Sequence, residues 1–203
     1  MKGKRYESQL PEGYRLVHAV NFKARRTATA LSLISILILV LTMLTASLFL
    51  IGRPMREFLH LTAPQFYIGY GVFFVSMLLY FLLHELTHGL CYKIFTGRKL
   101  TYAISLRSVY SGVPDVYLYR PYALITALAP LALFSCVFIP LLIYVYYQHA
   151  LAYLAVAFML GMHLGACAAD VYVCILALGT REARLLIRDT GNEQFFYLPH
   201  SKK

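Results

Sequence analysis

Charge is scarce in this 203-residue sequence: 14% of its residues are Asp, Glu, Lys or Arg, against 60% hydrophobic ones. With a mean hydropathy of +0.63, that scarcity excludes an ordinary soluble domain of this length. Acidic residues are scarcer still, 9 against 19 Lys and Arg, and no Lys or Arg lies between Arg120 and Arg181. A formal charge of +10 placed in this way reads as membrane topology. It does not read as nucleic-acid binding, because no basic stretch carries interleaved aromatic residues. The four cysteines, Cys91, Cys136, Cys167 and Cys174, sit in or beside apolar segments. A disulfide framework has no loop to staple there, so they read as small buried hydrophobes. Internal repeats and low-complexity segments are absent. The first apolar run, from near Thr27, outlasts a signal-peptide core and lacks a convincing cleavage site, so it reads as an uncleaved anchor.

What the sequence does have is four apolar runs, each long enough for a bilayer crossing at about 20 residues per span. They cover Thr29 to Ile51, Phe66 to Cys91, Tyr122 to Tyr147 and Ala150 to Leu178. Lys2, Lys4, Arg5, Arg15, Lys23, Arg25 and Arg26 precede the first run, and only Arg53 and Arg56 follow it. Lys93, Arg98, Lys99, Arg107 and Arg120 lie between the second and third, and Arg181, Arg184, Arg188, Lys202 and Lys203 follow the fourth. The positive-inside rule then places both termini and the middle loop in the cytoplasm. The expectation is one integral membrane domain over 1–203 in the cell membrane: a basic cytoplasmic N-terminus at 1–28, a four-helix core at 29–178 and a cytoplasmic tail at 179–203. The expected fold is all-α, with a small cytoplasmic-side β-hairpin between the second and third helices. In that hairpin an alternating strand from Lys99 to Arg107 is followed by "SGVPD" as turn and "VYLYR" as second strand. The tail offers a further hairpin, "RLLIRD" with "EQFFYLP".

The second run ends in "YFLLHELTHGLCYKIF", which places His84, Glu85 and His88 in H-E-x-x-H spacing inside a segment apolar enough for lipid. Ionisable side chains are expensive there, so they need a purpose. On a helix, a spacing of four returns both imidazoles to one face about 6 Å apart, so both can ligate one Zn²⁺ while Glu85 stands beside it as a base. The alternative is a helix-packing cluster of hydrogen-bonded histidines.

Two histidines leave a catalytic zinc short of a protein ligand. Apart from Glu85, the only carboxylate in the four runs is Asp170, in "GMHLGACAADVYV". At 1.5 Å per residue, His84 and Asp170 both lie about 27 to 30 Å from the outer ends of two helices running in the same direction. Gly161, Gly165 and Ala169 recur every fourth residue, a stripe suited to close helix approach. Beside it run His163, Cys167, Asp170 and Cys174. His163 is a candidate contact to substrate or oxyanion, and equally a core histidine; Cys167 is a fallback ligand.

"HELTHGL", the strand-like loop, "YALITALAPLAL" with Pro130 early in a helix, and "HLGACAADVYV" together resemble the bacterial membrane proteins described as putative zincin peptidases. More distantly the chain resembles the site-2 protease family of intramembrane zinc metalloproteases. The resemblance implies Zn²⁺ on His84, His88 and Asp170, with Glu85 as base. It departs from the site-2 pattern around Asp170, which is followed by Val171 with His163 seven residues before it. The expected function is a membrane-embedded zinc metalloprotease that hydrolyses membrane-protein or peptide substrates near the cytoplasmic face. The competing reading is a non-enzymatic divalent-metal protein of the bilayer, a transporter or a sensor.

Overall fold

The ends of the long helices are set by local chemistry. The computed structural model describes residues 4–51, 62–105, 108–113 and 115–200, without side chains at 102–105 and 108–112. Lys2, Arg53, Arg56, Arg107, Lys202 and Lys203 lie outside the described residues. Helix α1, Arg25–Phe49, starts after Asn21, whose Oδ1 accepts the N–H groups of Lys23 and Ala24 at 2.8 and 3.1 Å. These bonds close an Asx turn just before the first helical residue, where the Ala24 N–H also meets Asn21 O at 3.2 Å. Helix α2, Ala63–Thr96, opens with the Thr62 N–H donating to Gln65 Oε1 at 3.0 Å, half of a capping box. It stops at Gly97, whose φ of +66° suits a residue without a Cβ and lets its N–H close onto Lys93 O at 2.8 Å.

Helix α3, Arg120–Tyr146, has Pro121 in its first turn, where the missing N–H costs nothing. The fourth run forms two helices, α4 Ala150–Ala166 and α5 Ala168–Gly179, with Cys167 between them. All four runs, Arg25–Phe49, Ala63–Thr96, Arg120–Tyr146 and Ala150–Gly179, are long and apolar enough to cross a membrane. That is the pattern of a multi-pass membrane protein.

The chain is mostly helical, but the expectation of an all-α fold with one hairpin is corrected by a five-stranded antiparallel sheet. Its strands are β1 Tyr6–Glu7, β2 Tyr14–Asn21, β5 Tyr117–Tyr119, β6 Leu186–Asp189 and β7 Glu193–Pro199. Their spatial order is β1-β5-β6-β7-β2. The hairpin between α2 and α3 exists as a separate pair, β3 Thr101–Ser105 and β4 Ser108–Gly112. Its second strand pairs from Ser108 to Gly112 and so begins before "SGVPD". β5 pairs with β1 and β6 instead, and its central Leu118 is fully buried in a cluster with Tyr92, Val113 and Val116.

The chain forms two compact units. The first comprises Met1–Ala30, His84–Pro130 and Ala169–Lys203. Its core packs Val20, Leu185, Ile187 and Phe196 from the sheet region against Val173 and Ala177 of α5. A second cluster sets Tyr92 of α2 against Val113, Val116 and Leu118.

The second unit comprises Leu31–Leu83 and Leu131–Ala168. In it α1 and α4 approach backbone to backbone: a Cβ on Gly165 would lie 3.0 Å from Ser35 O, and one on Gly161 would lie 2.8 Å from Leu39 Cδ1. Ser35 Oγ donates to Gly165 O at 2.8 Å, the close contact that small residues permit between apolar helices.

Candidate metal centre

His84 and His88 project from one face of α2, their rings 5.0 Å apart. Asp170 stands in the first turn of α5, where the positive end of the helix dipole favours a carboxylate. Its Oδ2 lies 3.6 Å from His84 Nε2 and its Oδ1 lies 3.5 Å from His88 Nε2. One ligand atom from each of the three falls within 4.8 Å of the others. Ligands about 2.1 Å from a tetrahedral zinc stand about 3.4 Å from one another, so this spacing suits such an ion.

The orientation of His88 adds a chemical argument. Its Nδ1 lies 2.9 Å from Thr126 O, and because a carbonyl only accepts, Nδ1 carries the proton and donates. In the neutral ring Nε2 is then a lone pair aimed at a carboxylate oxygen, itself an acceptor. Two acceptors facing one another call for a proton or a cation between them. The donor set therefore fits a divalent ion with two imidazoles, one carboxylate and a position left for water or substrate.

Glu85 is half-buried in the same turn of α2, close enough to His84, His88 and Asp170 for their charges to act on it. Asp189, at the end of β6, comes near from the sheet. Its Oδ1 accepts the Gly191 N–H at 2.7 Å, and its Oδ2 accepts the Tyr92 hydroxyl at 3.5 Å. Burial raises the Asp189 carboxyl above the usual range, against the pull of the Gly191 N–H and the charge of His88.

His163 belongs to the second unit and is fully buried. The Tyr80 hydroxyl lies 3.0 Å from its Nδ1 and Ser135 Oγ lies 3.1 Å from its Nε2. The rings of Tyr80, Phe134 and Phe138 surround it. Cys167 is buried with its Sγ 3.8 Å from His163 Nδ1.

Sequence reasoning missed Thr126, Tyr92 and Asp189. Thr126 acts through its main chain and leaves no side-chain signal. Tyr92 lies one turn beyond His88, a spacing that shows their shared face. Asp189 requires a strand pairing between distant parts of the chain.

The family described as "Putative zincin peptidase" matches residues 77–183, just over half of the chain and all of the centre from His84 to Asp170. No curated protein and no solved structure shows significant similarity to the chain.

Proposed function

Because the chain belongs to the putative zincin peptidase family, we propose that it is a membrane-embedded zinc metallopeptidase that cleaves membrane-associated or transmembrane substrates near the cytoplasmic face, with both termini in the cytoplasm of the cell. The observation that carries this reading is the convergence of His84 Nε2, His88 Nε2 and the Asp170 carboxylate, with Glu85 in the same helical turn. A metal transporter requires a continuing polar path. In the four apolar runs only one layer of carboxylates, Glu85 and Asp170, is present.

His84, His88 and Asp170 would hold the zinc. When bound, zinc supplies Lewis acidity that polarises a carbonyl and lowers the pKa of water. Glu85 accepts a proton from the attacking water as the new C–O bond forms, then delivers it to the nitrogen of the leaving amine as the C–N bond breaks. Thr126 O holds His88 in the tautomer this requires. The peptide must be extended, because a helical peptide bond is shielded by its own turn. Among the described residues β3 and β4 pair only with each other, which leaves sheet edges that an extended segment joins by strand addition.

The test is digestion of a transmembrane peptide substrate by purified protein reconstituted in lipid, with metal content measured alongside. Glu85→Gln is expected to keep its metal and lose about 10³-fold in hydrolysis, the scale of a general base. Cleavage by Glu85→Gln at the native rate would remove Glu85 from the mechanism. Passage of metal into liposomes without any hydrolysis would favour the transporter reading.

A further inference from the structure

Helix α3 carries proline in its interior, where that residue is costly, and the place of one proline bears on the metal centre. In a regular helix the N–H of residue 130 bonds to the carbonyl of residue 126. Pro130 has no N–H, and its ring crowds the carbonyl four residues back. That carbonyl belongs to Thr126, and it is the one His88 Nδ1 meets at 2.9 Å. Pro130 is fully buried and Thr126 is 4% exposed, so water is a poor competitor for this bond. The Thr126 hydroxyl is engaged elsewhere, donating to Tyr122 O at 2.8 Å.

We propose that Pro130 is a positioning residue of the metal centre: by withholding an N–H it reserves the Thr126 carbonyl for His88, which fixes the ring with Nδ1 protonated and the Nε2 lone pair turned towards Asp170. The inference rests on the reading of His84, His88 and Asp170 as metal ligands and supplies the part of that site that lies beyond them. Any other residue at 130 places a donor beneath the Thr126 carbonyl. The His88 bond is then shared and lengthened, and the ring loses its fixed orientation. Partners behind a ligating histidine are typically worth 10- to 100-fold in metal affinity.

The experiment uses the full chain in detergent and compares Pro130→Ala, Pro130→Ser and Pro130→Val with the native protein, with Pro140→Ala in the same helix as control. Zn²⁺ affinity is measured by titration and the Co²⁺ complex by its visible spectrum. The ring tautomer of His88 is read by ¹⁵N NMR on metal-free protein. All three Pro130 variants are expected to bind about 10-fold more weakly whatever the size of the new side chain, with an altered Co²⁺ spectrum and a mixture of His88 tautomers. Their thermal stability holds or rises, since the helix regains a hydrogen bond. Pro140→Ala binds as the native protein does.

Native affinity and a single tautomer in all three variants would overturn the proposal. So would a loss that follows side-chain volume and is accompanied by falling stability, which makes Pro130 a packing residue. A native protein that binds neither ion removes the metal reading instead, and the tautomer comparison still decides the role of Pro130.

Discussion

At the scale of single residues, the centre and the buried histidine of the second unit show two uses of one side chain. His88 spends one nitrogen on a main-chain carbonyl and turns the other to a carboxylate. His163 has both nitrogens engaged by hydroxyls, from Tyr80 and Ser135, inside a ring of aromatic side chains. A contact from His163 to a substrate therefore requires one of those bonds to open. His163→Ala leaves two hydroxyls in an apolar surrounding, and the expected cost is about 2 kcal/mol of stability, read as a lowered thermal midpoint in detergent. An unchanged midpoint would show that the hydroxyls find other partners at no cost. The spacing of His84 and His88 was legible because four residues on a helix is a geometric statement. Thr126 was not, since a carbonyl has no letter of its own, and the only trace of its availability is the proline four residues later.

At the scale of elements, helix composition carried well, and so did the local tail hairpin, which is the pair β6–β7; the distant partners of β1, β2 and β5 did not. The apolar runs gave the four long helices to within a few residues, because about 20 apolar residues leave few alternatives. Their polar ends extended further than the apolar runs: α2 continues to Thr96, beyond the end of its apolar stretch at Cys91. The stripe of Gly161 and Gly165 announced a close neighbour without naming it; that neighbour is α1 at Leu39 and Ser35. Gly165→Leu drives a side chain into the Ser35 backbone and is expected to cost at least about 1–3 kcal/mol. Gly179→Ala, where a Cβ meets nothing within 4 Å, serves as the reference. Equal unfolding profiles for the two variants would contradict the packing described.

At the scale of the whole molecule, the sheet is the feature that reading along the chain could least supply. Its pairings join Tyr14–Asn21 near one end of the chain to Glu193–Pro199 near the other, as Asn21 with Glu193, and carry β5 between β1 and β6, as Leu118 with Ile187. Each strand by itself is short, so the signal appears only once both chain ends are brought together. The bond from Tyr119 to Glu7 Oε1 at 2.9 Å fastens β1 to β5. Burial, followed by that bond, pushes the Tyr119 hydroxyl up to about 12 from an ordinary 10. The folded form holds this proton more tightly than the unfolded form, so the contribution is full below pH 10 and is lost as pH rises through about 12. Thermal unfolding measured from pH 9 to pH 12 should show that loss, and Tyr119→Phe should reduce it; identical profiles would contradict the assignment.

The proposed centre requires three side chains from two helices, His84, His88 and Asp170, to share one divalent ion. The most direct measurement is zinc content per chain for the purified native protein beside His84→Ala and Asp170→Ala, each verified as folded. One zinc per native chain, lost in both variants, is the expected result. Zinc retained at the native level in Asp170→Ala, or no zinc in native protein supplied with the metal, would contradict it.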